Sequence, residues 1–247
     1  MGAHATQARF RMSAILLDVD DTLVDTKAAF RHAIVATASE YLPASTDMEE
    51  ATTAWRRDRG GYYRAYTRGE MDHFTQRKLR VHDLHAQFGG PTLTDAEYVE
   101  WEKIFEAAFQ EGWEAHPDAE PFLDALDARG IAYGALSNAQ ASYQEHKLAA
   151  VGLGRVPMLV GVDTFGVGKP DPRVFLEACR RLGSEPAQTY YVGDEFDIDA
   201  RAAVEAGLRG VWCERAGTWA SRDPAEVQRA GVVHVATLSE LLPLLPG

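Results

Sequence analysis

Carboxylates at the end of an apolar run are the first chemistry this chain offers. Asp18, Asp20 and Asp21 follow Ala14-Ile15-Leu16-Leu17, with Val19 between the first two. In a strand, side chains two apart share a face, so Asp18 and Asp20 project together while Val19 turns back into packing. Two carboxylates side by side at the mouth of a buried strand repel and are poorly solvated, which calls for a divalent cation between them or a proton on one of them. Either state suits phosphate chemistry. The Asp-Asp-Thr run is also ordinary helix N-cap material, so its meaning rests on what lies downstream.

Three later segments place polar groups just after predicted strands. Ser137-Asn138 ends the second strand, Gly168-Lys169-Pro170-Asp171-Pro172 follows the third, and Gly193-Asp194-Glu195-Phe196-Asp197-Ile198-Asp199 ends the fourth. Taken singly, each has a plain reading as a helix cap, a solvated loop lysine or a turn. Taken together they supply a nucleophile, a proton donor, hydroxyl and amide donors, an ammonium and a second carboxylate cluster. That is the inventory of phosphoryl transfer with a divalent metal.

Asp-x-Asp-x-Thr, Ser-Asn, Gly-Lys-Pro-Asp-Pro and Gly-Asp-x-x-x-x-Asp, in that order and from Ala14 onward, resemble the haloacid dehalogenase-like (HAD) superfamily. The resemblance implies that Asp18 attacks the phosphorus of a phosphomonoester, and that Asp20 protonates the leaving alkoxide and later takes a proton from the attacking water. It implies Mg²⁺ held by the Asp18 carboxylate, the Asp20 carbonyl and Asp194. Ser137 and Lys169 would hold the phosphoryl oxygens, with Asn138 supporting that loop. Asp199 would orient Lys169 or a metal-bound water, with Asp197 its competitor for the role. Glu195 stands where many relatives carry a small polar residue, and Asp21 and Asp25 read as loop or cap-hinge residues. Dehalogenases of this superfamily commonly lack the second aspartate, because halide leaves without a proton. The expected function is Mg²⁺-dependent hydrolysis of a small phosphomonoester metabolite (a sugar phosphate, phosphoglycolate or a nucleotide) through an aspartyl-phosphate. A 2-haloacid dehalogenase, a phosphomutase of the same fold and a non-catalytic binding protein are the alternatives.

The elements that must position these groups follow an α/β pattern. Helical periodicity fills about ninety residues after Leu23, with pieces over 26–41, 47–58, 69–88 and 94–111. From Pro117 onward helix and strand alternate, the signature of a parallel sheet covered on both faces. Helices are predicted over 119–129, 141–150, 172–182 and 199–206, with a Leu-rich one at the end. Strands are predicted over 131–136, 158–162, 189–192, 210–213 and 232–235. The expected fold is a doubly wound, Rossmann-like parallel sheet over 1–25 and 115–247 with an inserted α-helical cap over 26–114, which the resemblance equates with a C1-type cap. In that cap, Trp55-Arg56-Arg57-Asp58-Arg59 with Tyr62, Tyr63, Arg64, Tyr66 and Arg68 reads either as a site for a sugar or anionic leaving group or as a solvated helix face over packed aromatics. His82 and His85 read as surface or interdomain residues.

Composition narrows the partners. The chain has 247 residues, 46% of them apolar, enough for a proper core, and a formal net charge of -12, which argues against nucleic acid. Cys179 and Cys213 lack metal-ligand spacing and lie in apolar stretches, which fits a reduced, cytoplasmic setting. No stretch is long and apolar enough to cross a bilayer, and the first dozen residues lack the apolar centre of a signal peptide. Met1–Thr6 matches the loose N-myristoylation pattern, but a leader before Met12 explains it better. The expected partner is a small phosphorylated metabolite, without nucleic acid or membrane, and the protein is expected as a monomer or homodimer.

Overall fold

β1 (Ala14–Leu17) is buried on both sides and runs at the centre of the sheet. The computed structural model describes residues 14–215 and 222–245; the Met1–Thr6 pattern and the leader before Met12 lie outside them. Six parallel strands stand in the order β3-β2-β1-β4-β5-β6, where β2 is Ala132–Leu136, β3 Met158–Val160, β4 Thr189–Gly193, β5 Arg209–Cys213 and β6 Val233–Val235. The chain leaves β1 towards β2 on one side and returns to β4 on the other. The carboxyl end of β1 is therefore the switch point, where ligands of such sheets collect. Alternation assigns the two faces: Ile15 and Leu17 enter one apolar cluster, while Leu16 joins Leu136, Val160, Phe175 and Tyr191 in the other.

Five helices lie between β1 and the rest of the sheet: α1 (Thr26–Tyr41), α2 (Met48–Arg57), α3 (Tyr62–Thr67), α4 (His73–Phe88) and α5 (Asp95–Glu111). They carry an aromatic core of their own, with Trp55, Trp101 and Phe105 buried and in ring contact. Side-chain caps set their starts: Asp25, Asp47, Asp72 and Thr94 each accept a backbone N–H of the first turn. Backbone bonds from Asp25 N to Glu114 O (2.8 Å) and from His116 N to Leu23 O (2.9 Å) tie together the two chain crossings between insertion and sheet. The sheet is covered by α6 (Ala119–Ala128), α7 (Ala141–Ala150), α8 (Pro172–Leu182), α9 (Ala202–Glu205) and α10 (Pro224–Arg229).

Several predicted bounds shift. α3 escapes the periodicity because it is six residues long between Gly61 and Gly69, both at positive φ, and its two turns are too few for a 3.6-residue repeat to register. The piece predicted from residue 69 starts instead at His73, behind its Asp72 cap. The third strand ends at Val160, where a short 3₁₀ turn takes over. The helix predicted from Asp199 begins earlier, as a π-helical turn over Phe196–Arg201 that leads into α9. α10 was not expected, and the last Leu-rich segment is a 3₁₀ helix, Leu238–Leu244, containing Pro243.

Candidate active site

Strand ends bring the predicted groups together. Asp18 continues β1 by donating its N–H to Val192 O at 2.9 Å, and its carboxylate is nearly buried. Lys169, 3% exposed, donates its three ammonium protons to Asp18 Oδ1 (2.8 Å), Asp199 Oδ1 (2.7 Å) and the Tyr191 hydroxyl (2.8 Å). All of its donors are thus committed, and its first effect is to fix Asp18. Burial pushes the Asp18 carboxyl up to about 8, against the pull of Lys169. Burial alone would deprotonate Lys169, but Asp18 and Asp199 hold it charged, well above its ordinary value.

Asp20 has a cation of its own. Lys147 Nζ lies 2.5 Å from Asp20 Oδ1, Gln144 Nε2 donates to Oδ2 at 2.6 Å, and the Thr26 hydroxyl donates at 3.1 Å. Burial raises the Asp20 carboxyl, but Lys147 and these hydrogen bonds outweigh it and bring the group below the usual carboxylate range. Each of the two carboxylates thus meets a different lysine, Asp18 through Lys169 and Asp20 through Lys147. Lys147 is 1% exposed and lies 5.3–5.5 Å from the ring centroids of Tyr143, Phe109 and Trp113. Gln144 also donates to Ser137 Oγ at 2.8 Å, so one amide links the serine to the second aspartate.

Gln144, Lys147 and Tyr191 were missed in the sequence because they sit inside elements rather than at strand ends. Gln144, Lys147 and Leu148 are the buried face of α7. A glutamine and a lysine at i and i+3 on an inward stripe were the available signal.

Two glycines allow the loops to close. Asn138 Nδ2 donates to Lys169 O (3.0 Å) and its Oδ1 accepts Lys169 N (2.6 Å), clamping the lysine's backbone; a Cβ on Gly168 would fall 2.2 Å from that Oδ1. A Cβ on Gly193 would fall 2.4–2.5 Å from the Asp199 side chain. That carboxylate also accepts Glu195 N at 2.9 Å, so both its oxygens are engaged. Asp197 instead pairs with Arg201 and Arg222, away from Lys169. Glu195 pairs with Arg64 of the insertion. Asp25 caps α1, and Asp21, at φ 57°, accepts Lys27 N at 2.9 Å.

Asp18, Asp194 and Asp199 each offer a carboxylate oxygen, all within 4.8 Å of one another. Burial, together with Asp21, Asp199 and Asp18, drives the Asp194 carboxyl well above its ordinary range. Three facing carboxylates and one fully committed ammonium are short of positive charge, and a hard oxygen-seeking cation such as Mg²⁺ fits that deficit.

Asp18, Asp20, Ser137, Asn138, Lys147, Lys169 and Asp194 open into one cavity of about 800 Å³ that helices of the insertion roof. Arg56, Arg57, Tyr63, Arg64 and Tyr66 line it, while Trp55 is buried in the aromatic core. His85 is neither a surface nor an interdomain residue: it is 1% exposed inside the insertion and its Nδ1 lies 2.7 Å from Pro91 O, because the Gly89-Gly90-Pro91 turn folds over it. Both cysteines are buried and free. Among the described residues no helix is long and apolar enough to cross a membrane.

A parallel sheet with its acidic switch point under a helical insertion defines a class of hydrolase. The chain belongs to the haloacid dehalogenase-like hydrolase family, whose model matches residues 12–207. It is 31% identical over 218 residues to the glyceraldehyde 3-phosphate phosphatase of Methanopyrus kandleri, covering 86% of this chain and 88% of that one. It is 34% identical over 143 residues to the phosphoserine phosphatase of Thermus thermophilus, a match spanning 57% of each chain. A crystal structure of a dehalogenase superposes with a TM-score of 0.74 at 25% identity, covering 96% of this chain and 98% of that one.

Proposed function

We propose that the protein is a Mg²⁺-dependent phosphatase of a small phosphomonoester, working through an aspartyl-phosphate on Asp18. The observation that carries this reading is Asp20: a second carboxylate in the same cavity as the Asp18–Lys169 pair, with a lysine and an amide of its own. Halide displacement needs no such acid, whereas an alkoxide leaving group does. Relatives named as phosphatases of glyceraldehyde 3-phosphate and phosphoserine support the same direction.

Asp18 would attack phosphorus, its carboxylate aimed by Lys169. Ser137 would donate to a phosphoryl oxygen, and Lys169 would share one of its protons with another. Asp20 is ionised in the free protein, suited to deprotonating the water that hydrolyses the acyl phosphate. Acting first as the acid, it would take the proton of a monoanionic phosphomonoester as substrate enters, loosening its bond to Lys147, and pass that proton to the leaving alkoxide. Asp18 and Asp194, with the Asp20 carbonyl, would hold Mg²⁺, which when bound lowers the repulsion between phosphate and the carboxylates. Asp199 and Asn138 would keep Lys169 in place, one through its ammonium and the other through its backbone.

The test is release of phosphate from p-nitrophenyl phosphate and a panel of phosphorylated metabolites, with and without Mg²⁺. Mg²⁺-dependent turnover that Asp18→Asn reduces at least about 10³-fold in a folded protein is expected. Chloride release from 2-chloropropionate with no phosphate from any ester would replace this reading with dehalogenation. Full activity of folded Asp18→Asn would remove Asp18 as the nucleophile.

A further inference from the structure

The roof of the cavity is cationic in a way the phosphoryl chemistry on its floor does not use. Arg77 and Arg80 stand one helical turn apart on α4, and both line the chamber. Their flat faces are occupied: Arg80 lies 4.1 Å from the Trp55 ring centroid and Arg77 4.8 Å from that of Phe105. Their edges are not. Arg80 Nη2 donates to Trp55 O at 2.9 Å and Arg77 Nη2 lies 3.5 Å from His73 Nε2. Two carboxylates pair with them by charge but stay beyond hydrogen-bond range, Asp58 at 3.8 Å from Arg80 Nε and Glu102 at 3.6 Å from Arg77 Nη1. Glu102 also accepts the Tyr98 hydroxyl at 2.6 Å.

Among the described residues, Nε and Nη1 of Arg77 and Nε of Arg80 are therefore buried without an acceptor, and the neighbouring Gln76, 1% exposed, has its Oε1 buried without a donor. Stacking on rings satisfies the face of a guanidinium but not its in-plane N–H groups, which carry the preference for oxyanions. Burial, with the neighbouring charge of Arg77, lowers Arg80 to about 10, the mark of two like charges held together in apolar surroundings. Asp58 and Glu102 offset part of that charge at ion-pair distance, but they leave those in-plane N–H groups of the pair without an acceptor, which is costly for buried donors.

We propose that Arg77 and Arg80 form an oxyanion subsite for a second acidic group, carboxylate or phosphate, carried by the alcohol part of the phosphomonoester. The proposal rests on the phosphatase reading and adds the substrate class: a phosphorylated acid rather than a neutral sugar or polyol phosphate. Tyr63 gauges the span. Its hydroxyl is 3.5 Å from Asn138 O, beside the phosphoryl-binding loop, and its ring centroid is 5.9 Å from the Arg80 guanidinium. One tyrosine side chain thus separates floor from roof, which suits a leaving group roughly three to six carbons long at bond lengths near 1.5 Å.

The test compares kcat/KM within matched pairs: 3-phosphoglycerate against glycerol 3-phosphate and 6-phosphogluconate against sorbitol 6-phosphate for the carboxylate arm, and fructose 1,6-bisphosphate against fructose 6-phosphate for the phosphate arm. The acidic member of at least one pair is expected to be preferred about 10- to 100-fold, the scale of one good charge-assisted contact. Arg77→Gln and Arg80→Gln should erase that preference mainly through KM, and Arg80→Lys, which keeps the charge without the fork, should keep part of it. Equal kcat/KM within every pair, or a preference that survives the double glutamine variant, overturns the subsite. The wild-type comparison needs no variant, so it decides even where the glutamine variants do not fold. Turnover of p-nitrophenyl phosphate without any acid preference sinks the subsite alone, whereas no turnover of any phosphoester sinks the phosphatase reading with it.

Discussion

Two carboxylates two residues apart in sequence live in different electrostatic surroundings. Asp18 is nearly buried and shares one ammonium with Asp199, so its proton affinity rises; Asp20 has Lys147 and two further donors to itself, so its proton affinity falls. This division gives a direct expectation for Asp20. Replacing it with Asn should slow hydrolysis of an alkyl phosphate by about 10²- to 10⁴-fold, the usual worth of a positioned acid. Turnover of p-nitrophenyl phosphate, whose leaving group departs as a stable anion, should fall much less. Steady-state kinetics on the two esters measures the contrast, and equal losses on both would remove Asp20 from leaving-group protonation. Asp18, Asp20, Ser137, Asn138, Lys169, Asp194 and Asp199 were legible because each follows a strand, where a polar run interrupts apolar sequence. Lys147 and Tyr191 were not, because a lysine within a helix and a tyrosine within a strand look like surface and core until the neighbouring elements are known.

At the scale of elements, the loops after β2, β3 and β4 are locked to one another rather than merely adjacent. Asn138 grips Lys169 through two backbone bonds, and Asp199 folds back over Gly193 to reach the same lysine. A methyl group at position 193 would collide with that carboxylate. Gly193→Ala should therefore cost about 1–3 kcal/mol of stability, the range for overpacking, and lower activity by moving Asp199 off Lys169. Thermal melting and kinetics of the one variant check both, and a variant with unchanged melting temperature and activity would show that the loop relaxes freely. The alternation of strands and helices was legible because the sheet is buried on both faces, leaving short apolar runs between helical repeats. The π-helical start after β4 was hidden because nothing in the local sequence marks it; it carries Asp199, which bonds Lys169 from another loop.

For the whole molecule, the acidic net charge and the acidic switch point act in the same direction. A carboxyl whose folded pKa is about 8, against an ordinary 3.8, holds a proton in the folded state that the unfolded chain has lost. Its stabilising contribution is present at low pH and is lost as pH rises towards about 8. In EDTA the thermal midpoint should fall between about pH 6 and pH 8, by a few degrees for each loss of about 1.4 kcal/mol per pH unit, and level off above that. Millimolar Mg²⁺ should raise the midpoint, and more at the higher pH, where both Asp18 and Asp194 are more readily ionised. A midpoint indifferent to Mg²⁺ at both values would argue that these carboxylates do not bind the metal.

The most direct measurement is chemical trapping of Asp18 during turnover. Protein quenched while hydrolysing a phosphomonoester in the presence of Mg²⁺ is treated with borohydride, which reduces an acyl phosphate to an alcohol, and the peptide spanning Ala14–Leu23 is sequenced by mass spectrometry. Homoserine at position 18, dependent on substrate and absent from every other aspartate, is the expected result. Sustained phosphate release with Asp18 unmodified, or with the reduced residue at another position, would contradict covalent transfer to Asp18.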